Sequence, residues 1–509
     1  MAPIAYSLSP YTKGKRQKAK GKRQKMPIAD LWPSGLWQGF AYKSHQITAV
    51  EWMLRREEQD ESGGLLCDEM GLGKTMEVLG TIKNSKKRQT LLLCPKAVIS
   101  QWLTAAEKSQ MNCMILDGER WSFTSSFKSG QPFLFITNYE KINTRKKAFV
   151  RHWDRTVLDE AHKAKNRNSI LWKGIEKLER NTLWCVTATP VINDLKDIRN
   201  LFALVGFDKD KMTDYSYLCE VVSEACLQRS MEMMRPVLKE LPARPLITKE
   251  SLDFVTEEEE EFYRGIQGNI MRRWRALAND SIAARFALIM RLRQLSLHPQ
   301  VYINARKKAW AGYERDNWEE PSTKFVALRK KLEEPGCKPA RWIVFCQFHE
   351  EMNLLETYLS TSPAVGMVLM YHGGLSDTEK GAVLKDTEAE LGDKHQILLL
   401  QLQSGGVGLN LQHFSKVVFM SPWWTAAMMD QAIGRAVRIG QENIVEVTML
   451  VLKEGETANI DKMMLEKADG KRTILERLFM NASRGLDDRP RLRIRIPEDK
   501  ETENENENP

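Results

Sequence analysis

Short runs of apolar residues alternate with longer amphipathic segments in two regions of this chain, residues 40–205 and 325–455. Each run is almost continuously apolar, which is typical of strands in a parallel sheet that helices cover on both faces. The pattern therefore predicts an α/β protein with two lobes, each built on a parallel sheet. The candidate strands are GGLLCD, TLLLCP, NCMILD, PFLFIT, RTVLDE and TLWCVT in the first region, and RWIVFC, VGMVLMY, HQILLLQ, SKVVFM and VEVTML in the second.

The stretch between these regions differs in composition, being rich in Glu, Arg and Met with few strand signals. Within it, apolar residues recur at helical spacing, which predicts an amphipathic helix. These residues are Ile282, Phe286, Ile289, Leu292 and Leu295. Three arginines in the same segment, Arg285, Arg291 and Arg293, are expected on its solvent face; the alternative is that some of them contact phosphate.

The predicted organisation has five parts. They are a basic disordered arm (1–29), a first lobe (30–205), a helical insertion or linker (206–324), a second lobe (325–482) and a disordered polar, acidic tail (483–509).

Composition excludes several classes of protein. The 509 residues are 42% hydrophobic, which is ample for packed cores, yet no apolar run reaches the roughly 18 residues of a membrane span. The first residues lack the apolar segment of a secretory signal, so we expect an intracellular protein without membrane association. None of the 8 cysteines forms a C-x-x-C pair, which argues against a structural zinc site.

Positive charge is concentrated near the N-terminus. The net charge is +9, and residues 13–25 hold 8 Lys and Arg without an acidic residue, leaving +1 for the rest. We predict that this arm is a nuclear-localisation signal or a non-specific DNA contact; the alternative is a solvated tail. Any nucleic-acid surface on the folded part must be a local patch.

The sequence CDEMGLGKT, residues 67–75, follows the first candidate strand and ends as a phosphate-binding loop does. Asp68 stands where the usual pattern has its first glycine. Gly71 and Gly73 allow close backbone approach to phosphate, Lys74 would reach the β- and γ-phosphates, and Thr75 would bind Mg²⁺. The predicted phosphate-binding residues are Asp68, Glu69, Met70, Gly71, Leu72, Gly73, Lys74 and Thr75.

Two adjacent carboxylates end a later strand in the sequence VLDEAH. Ligands bind at the carboxyl ends of strands in open α/β sheets. Asp159 is predicted to hold Mg²⁺, and Glu160 to orient and deprotonate an attacking water. Such a pair also occurs in ordinary charged loops, and the phosphate loop upstream favours the catalytic interpretation.

Further polar and aromatic groups follow candidate strands of the first lobe. Thr187 and Thr189 could couple a nucleotide site to a bound strand, while Gln46 could read an adenine edge. Gln101, Trp102 and Thr137 suit phosphate or sugar contacts, although each alone is more often an ordinary strand end.

Arginines in DQAIGRAVRIGQ suit a catalytic role in the second lobe. On a helix, Gln431, Arg435 and Arg438 would share one face, and the two arginines could stabilise charge on a transferred γ-phosphoryl group. The alternative is a surface helix with solvated arginines. Gly434 inside that helix would cost about 1 kcal/mol relative to Ala, which favours a functional reason for it.

Together these segments resemble the SWI/SNF-related ATPases of helicase superfamily two, over roughly residues 40–445. The matching segments, in order, are HQ (45–46), DEMGLGKT (68–75), CPKAVISQW (94–102), ITNYE (136–140), DEAHKAKN (159–166), TATPVIN (187–193), LRQLSLHP (292–299), IVFCQF (343–348), YHGGLS (371–376), SGGVGLNLQ (404–412), PWW (422–424) and QAIGRAVRIGQ (431–441).

The resemblance implies two RecA-like lobes with ATP and Mg²⁺ in the cleft between them and double-stranded DNA across both. By motif match, Lys74, Asp159, Glu160, Arg435 and Arg438 would be catalytic. Two further motif matches imply that Gly408 contacts ATP and that Trp424 contacts nucleic acid.

The activity implied is ATP-driven translocation on duplex DNA without strand separation, in a nuclear protein that remodels chromatin or other protein–DNA complexes, with nucleosomes as a candidate partner. PWW is similar to the DNA-repair branch of the family, but no RING insertion is present, so ligase activity is not implied. Two departures are TATP in place of TGTP and Val437 in place of His. A catalytically silent DNA-binding scaffold and an RNA-directed or strand-separating helicase are the alternatives.

Overall fold

The computed structural model describes residues 33–59, 62–277, 282–405, 409–453 and 459–484. The predicted basic arm, nearly all of the predicted tail and Gly408 lie outside the described residues.

The described residues form two sheets, one in each predicted lobe. The strands are β1 (Gly63–Leu66), β2 (Gln89–Cys94), β3 (Asn112–Asp117), β4 (Arg120–Phe123), β5 (Phe133–Asn138), β6 (Trp153–Asp159), β7 (Arg180–Val186), β8 (Cys226–Leu227), β9 (Leu246–Leu252), β10 (Arg341–Cys346), β11 (Val365–Tyr371), β12 (His395–Gln401), β13 (Lys416–Phe419) and β14 (Glu446–Leu452).

Almost all neighbouring strands are parallel, as predicted. The first sheet has the order β4-β3-β5-β2-β6-β7-β1-β8, and only β4, paired with β3, is antiparallel. The second has the order β11-β12-β10-β13-β14-β9, with parallel pairing throughout. Every candidate strand is confirmed, and so is the α/β fold with two parallel sheets. The apolar runs were sufficient because both faces of each sheet are covered.

Helices pack on these sheets and connect them. They are α1 (Ser44–Glu58), α2 (Lys74–Asn84), α3 (Ile99–Lys108), α4 (Lys141–Thr144), α5 (Ile170–Glu176), α6 (Leu195–Val205), α7 (Tyr215–Ala225), α8 (Met231–Met234), α9 (Glu257–Ala276), α10 (Ile282–Leu297), α11 (Pro299–Ala309), α12 (Thr323–Leu332), α13 (His349–Ser360), α14 (Asp377–Thr387), α15 (Leu402–Gly405), α16 (Ala426–Ile433) and α17 (Ile460–Arg484). None of these helices is both long enough and apolar enough to cross a membrane.

The stretch predicted as a helical insertion contains α9 to α11, but it also supplies one strand to each sheet. β8 pairs with β1 at the edge of the first sheet, and β9 pairs with β14 at the edge of the second. Both strands were missed because β8 is very short and β9 is largely exposed, so neither shows an apolar run. The boundaries at 205 and 325 stay predictions.

Arg293 corrects the expectation of a uniformly solvated arginine face on α10. Its side chain is buried, and its guanidinium carbon lies 4.2 Å and 4.6 Å from the ring centroids of Trp423 and Trp424. The two aromatic faces replace water around the cation, which explains why an arginine is tolerated inside the second lobe. Phe286, expected on the apolar face, is half exposed.

The last helix joins the two lobes. Ile460 and Met464, near the start of α17, pack in the core of the second lobe, whereas Leu478, near its end, is fully buried in the core of the first. Asn481 adds a hydrogen bond of 3.1 Å to the Tyr215 hydroxyl of α7. α17 therefore crosses back from the second sheet and closes the molecule.

A buried ion pair fixes α1 against the first sheet. Arg155 on β6 donates two hydrogen bonds of 2.6 Å to the Glu57 carboxylate, and Trp184 on β7 donates a third of 2.9 Å. Burial alone would raise the pKa of Glu57, but the charge and hydrogen bonds of Arg155 lower it below its usual value. Each partner neutralises the charge of the other, and losing either one would leave an uncompensated buried charge.

We expect Arg155→Met to lower the free energy of unfolding of the first lobe by about 3–5 kcal/mol, because it strands the Glu57 carboxylate in the core. Chemical denaturation followed by tryptophan fluorescence measures the loss. Arg329→Met is the control, since its partner Glu333 is partly exposed and the expected loss is below about 1 kcal/mol. Equal losses in the two variants would contradict the interpretation.

Candidate active site

The phosphate-binding sequence forms a loop between β1 and α2. Gly71 and Gly73 have φ angles of 91° and 97°, in the left-handed region that L side chains rarely adopt. A Cβ on Gly73 would collide with the Gln46 amide, and one on Gly71 would lie 2.6 Å from the Met231 methyl group. Both glycines are therefore required by backbone conformation and by close neighbours. The loop ends at Lys74, where α2 begins, as a phosphate site at a helix N-terminus requires.

Lys74 lies over its own loop. Its ammonium group donates hydrogen bonds to the carbonyls of Asp68 (2.6 Å) and Glu69 (3.3 Å), and its side chain is only partly buried. Thr75 is half-buried in the first turn of α2. Both side chains stand where the sequence predicts a phosphate-binding lysine and a metal-binding hydroxyl.

The carboxylates of Asp68 and Glu69 do not face a phosphate site. Asp68 is fully buried and paired with Arg229, while Glu69 accepts a hydrogen bond of 2.6 Å from the Met231 amide. An acidic group would repel phosphate, so these two carboxylates are not expected to contact it, and phosphate binding by the backbone of the loop stays a prediction. Their role is to hold the loop, and the Gly71–Thr75 segment remains the predicted phosphate contact.

Gln46 also supports the loop. Its amide donates to the Leu72 carbonyl at 3.2 Å and accepts from the Lys43 amide at 3.1 Å, while His45 Nε2 lies 2.7 Å from the same Leu72 carbonyl. Both ends of the Gln46 amide are thus engaged within the protein. Each end of the amide keeps one further hydrogen-bonding position, so adenine recognition by Gln46 stays a prediction.

The two carboxylates of DEAH stand at the end of β6, as predicted. Asp159 accepts hydrogen bonds from Trp102 Nε1 at 2.8 Å and from the Glu160 amide at 3.0 Å, and the Tyr139 hydroxyl donates to its carbonyl at 2.6 Å. Glu160 has a φ of 52°, a left-handed conformation that costs roughly 1–3 kcal/mol in a side-chain-bearing residue. Such strain is typical of functional turns.

The environments of the two carboxylates move their pKa values in opposite directions. Burial and the neighbouring Glu160 charge raise the pKa of Asp159. Burial acts on Glu160 as well, but the hydrogen bond and charge of His162, together with Lys74 and Arg435, lower the pKa of Glu160. Glu160 is therefore ionised at neutral pH, and Asp159, whose pKa is raised to about 6, is largely ionised there as well.

A chain of polar side chains leads from Glu160 to the second lobe. His162 Nδ1 lies 3.3 Å from the Glu160 carboxylate, 3.1 Å from the Thr187 hydroxyl and 3.4 Å from the Thr189 hydroxyl. Gln431 of α16 donates a hydrogen bond of 3.0 Å to Thr189. Both threonines are buried; Thr189 contacts the second lobe through Gln431, whereas Thr187 lies against His162 and Thr189, and the predicted coupling to a bound strand stays a prediction.

Arg435 and Arg438 lie beyond the end of α16, which stops at Ile433. The prediction of one continuous helical face is therefore wrong, because the chain turns at Gly434. Arg435 is only 2% exposed, and burial lowers its pKa. The charges of Glu160 and Asp159 act in the opposite direction and offset part of that lowering. The turn thus brings Arg435 close to the DEAH carboxylates.

Arg438 completes this side of the cleft. Its Nε donates to the Gly434 carbonyl at 3.0 Å, and its Nη2 lies 4.0 Å from the sulfur of Met70 in the phosphate loop. A Cβ on Gly434 would lie 2.9 Å from the same sulfur, so glycine at this position allows the close approach of Met70. Val437 is buried in an apolar cluster with Leu72 and Met231, so an apolar residue is accommodated at this position.

The four residues predicted to contact nucleic acid differ in their exposure. Trp102 and Thr137 are each 2% exposed, and Trp102 serves to orient Asp159, so their predicted contacts with nucleic acid are not supported. Gln101 is exposed on α3, and Trp424 is half-buried beside Arg293. The last two contacts remain predictions.

The donor set fits Mg²⁺, although the structure contains only protein. Both oxygens of Asp159 keep lone pairs beyond their single hydrogen bonds, and a carboxylate and a hydroxyl are the hard oxygen ligands that Mg²⁺ prefers.

Sequence reasoning missed four supporting residues, namely His45, Tyr139, His162 and Arg229. The only sequence signal for Arg229 was indirect. Asp68 and Glu77 lie beside apolar runs, and an acidic pair that becomes buried needs a cation as its partner.

Comparison with known proteins identifies the family. The SNF2-related domain matches residues 45–335, and the helicase conserved C-terminal domain matches residues 324–440. A probable global transactivator of Orgyia pseudotsugata multicapsid polyhedrosis virus is 26% identical over 87% of this chain and 92% of its own length. The probable ATP-dependent DNA helicase CHR23 of Arabidopsis thaliana is 27% identical over 86% of this chain. The ISWI chromatin-remodeling complex ATPase ISW1 of Saccharomyces cerevisiae is 25% identical over 84%.

This chain spans 43% of the length of the Arabidopsis protein and 40% of the yeast protein. The SWI2/SNF2 ATPase core of Sulfolobus solfataricus in complex with dsDNA covers 86% of this chain at 18% identity, with a TM-score of 0.38. That score is too low to compare the arrangement of the two lobes. The SNF2-related match alone spans more than half of the chain, and the two domain matches together span residues 45–440. The chain therefore belongs to the SNF2-related ATPases of helicase superfamily two, as its motifs predict.

Proposed function

We propose that this chain hydrolyses ATP in the cleft between its lobes and couples hydrolysis to movement along double-stranded DNA. The observation that carries the proposal is the meeting of the two lobes at this site, where Gln431 donates a hydrogen bond to Thr189, the buried Arg435 lies near the DEAH carboxylates and Arg438 lies beside Met70 of the phosphate loop. A nucleotide bound there would touch both lobes, so its hydrolysis would change how the lobes are held together.

Each side chain has a distinct role in this proposal. Lys74 would leave the carbonyls of its own loop to bind the β- and γ-phosphates, and Thr75 and Asp159 would hold Mg²⁺. When bound, Mg²⁺ supplies positive charge to the phosphate oxygens. Glu160, held ionised, accepts the proton of the attacking water as the new P–O bond forms and the bond to ADP breaks. Arg435 and Arg438 stabilise charge on the γ-phosphoryl group.

Double-stranded DNA is the substrate that the relatives favour. The Arabidopsis relative is called a DNA helicase, the yeast relative a chromatin-remodelling ATPase, and the Sulfolobus core was solved with dsDNA. We extend to this chain the remodelling of protein–DNA complexes, with nucleosomes as one candidate. A DNA-repair role rests on the PWW sequence and a nuclear location on residues 13–25. Relatives in Mycoplasma, which have no nucleus, show that a nuclear location does not follow from the family.

The proposal predicts ATP hydrolysis that duplex DNA stimulates. The assay compares no nucleic acid, single-stranded DNA, duplex DNA, RNA and nucleosomes at equal nucleotide concentration. Lys74→Ala should abolish hydrolysis, because the phosphates lose their cation, while DNA binding in a mobility-shift assay is kept. No hydrolysis under any condition would indicate a silent scaffold, and stimulation by RNA alone would indicate an RNA-directed enzyme.

A second prediction concerns the indole of Trp102. Trp102→Phe keeps an aromatic side chain but removes the indole N–H that bonds Asp159, so we expect kcat to fall about 10-fold, as for loss of one hydrogen bond to a charged group. Trp121→Phe is the matched control, because Trp121 donates a hydrogen bond of 3.0 Å to the Ala148 carbonyl away from the site. Equal kcat values for the two variants would remove the positioning role of Trp102.

A further inference from the structure

The segment that follows β8 runs along the phosphate loop. The Cys67 amide donates to the Leu227 carbonyl at 2.7 Å, and the Glu69 amide donates to the Arg229 carbonyl at 2.8 Å. In return, the Met231 amide donates to the Glu69 carboxylate at 2.6 Å. The loop is therefore held in a ladder of hydrogen bonds by residues that lie far away in sequence.

Arg229 makes the central contacts of this ladder. Its Nε donates to both carboxylate oxygens of Asp68, at 3.1 Å and 3.0 Å, and its Nη2 donates to Asp68 and to Glu77, the latter at 3.0 Å. Its Nη1 donates to the His45 carbonyl at 2.6 Å. One buried guanidinium thus ties together the first residue of the loop, the first turn of α2 and the first turn of α1.

The charges explain why a cation is needed at this position. Asp68 and Glu77 are both fully buried, at the two ends of the loop that is proposed to bind phosphate. Arg229 is the cation that bonds both of them. Burial and the neighbouring Asp68 raise the pKa of Glu77 well above its usual value, so the negative charge that Arg229 balances is mainly that of Asp68. Without Arg229 this buried charge would lie beneath the loop, where it would repel a nucleotide as well as destabilise the fold.

The same segment continues into the second lobe. After Arg229 the chain enters α8, where Met231 packs against Gly71, and then passes to β9, which pairs with β14 along its whole length. Arg235 donates a hydrogen bond of 2.9 Å to the Pro242 carbonyl inside this connection. The connection between the sheets is therefore bonded to the phosphate loop at one end and built into the second sheet at the other.

We propose that Arg229 is a positioning residue for nucleotide binding, which holds the phosphate loop in its binding geometry and anchors the interlobe connection to it. The proposal deepens the proposed ATP hydrolysis and rests on it for its kinetic readout. Arg229 touches no nucleotide; it acts through Asp68, Glu77 and the loop backbone.

Arg155 provides a matched control for Arg229. Both are buried arginines that bond a buried carboxylate, but Arg155, on β6, pairs with Glu57, away from the phosphate loop. Arg229→Met and Arg155→Met each remove a buried cation from a carboxylate partner. A purely structural role for Arg229 therefore predicts the same consequences for both variants.

The experiment measures thermal unfolding, equilibrium binding of a fluorescent ATP analogue, and the KM for ATP with saturating duplex DNA. Both variants should lower Tm, but only Arg229→Met should weaken nucleotide binding and raise the KM, by about tenfold or more relative to Arg155→Met. Arg229→Lys should restore much of Tm and only part of the KM, because an ammonium cannot reproduce the forked contacts.

A KM and analogue affinity for Arg229→Met within twofold of those of Arg155→Met would overturn the proposal. If Arg229→Met does not fold, Arg229→Lys carries the test, and an unchanged affinity in that folded variant is equally contrary. The binding arm also separates this proposal from the proposed function. A wild-type protein that binds the analogue without hydrolysing ATP would refute the hydrolysis, while the comparison of affinities would still judge Arg229.

Discussion

The phosphate loop cannot hold its own shape, and most of the site depends on what holds it. Two left-handed glycines leave Gly71–Gly73 without regular hydrogen bonding, so its neighbours must fix it. Gln46 and His45 bond the Leu72 carbonyl on one side, and Arg229 and Met231 bond Asp68 and Glu69 on the other. Those supports come from α1 and from the interlobe connection, and thus from parts of the chain with no phosphate motif.

The same physical requirement explains the corrected assignments. A residue that lies within a functional motif need not contact the ligand with its side chain. Asp68 belongs to the phosphate loop through its backbone alone, and Trp102 supports another side chain, that of Asp159. Burial decides between these roles. Because an enclosed polar group must be paired, Asp68 and Trp102 each have a partner within the protein, Arg229 and Asp159 respectively.

The two lobes are joined by few but varied links. Gln431 bonds Thr189 directly, the turn at Gly434 packs on Met70, and α17 inserts Leu478 into the core of the first lobe. A cavity of about 700 Å³ lies between these contacts, lined by residues of α16, α17 and the interlobe connection. Contacts around a cavity can rearrange at lower cost than a continuous packed interface, which suits lobes whose relation is proposed to change during hydrolysis.

The sequence by itself determined most strands of the two sheets and the chemical groups of the site. Near-continuous apolar runs identified the buried parallel strands, and local spacing identified the loop glycines, Lys74 and the DEAH carboxylates. These signals are local, because strand burial and a phosphate loop each depend on a few consecutive residues. Tertiary structure alone decided that Arg229 neutralises Asp68, that α16 ends before Arg435, that β8 and β9 join separate sheets and that α17 returns to the first lobe. Each of those outcomes depends on which residues, distant in sequence, come into contact. The free energy of these contacts comes from burial and charge pairing, which no single stretch of sequence contains.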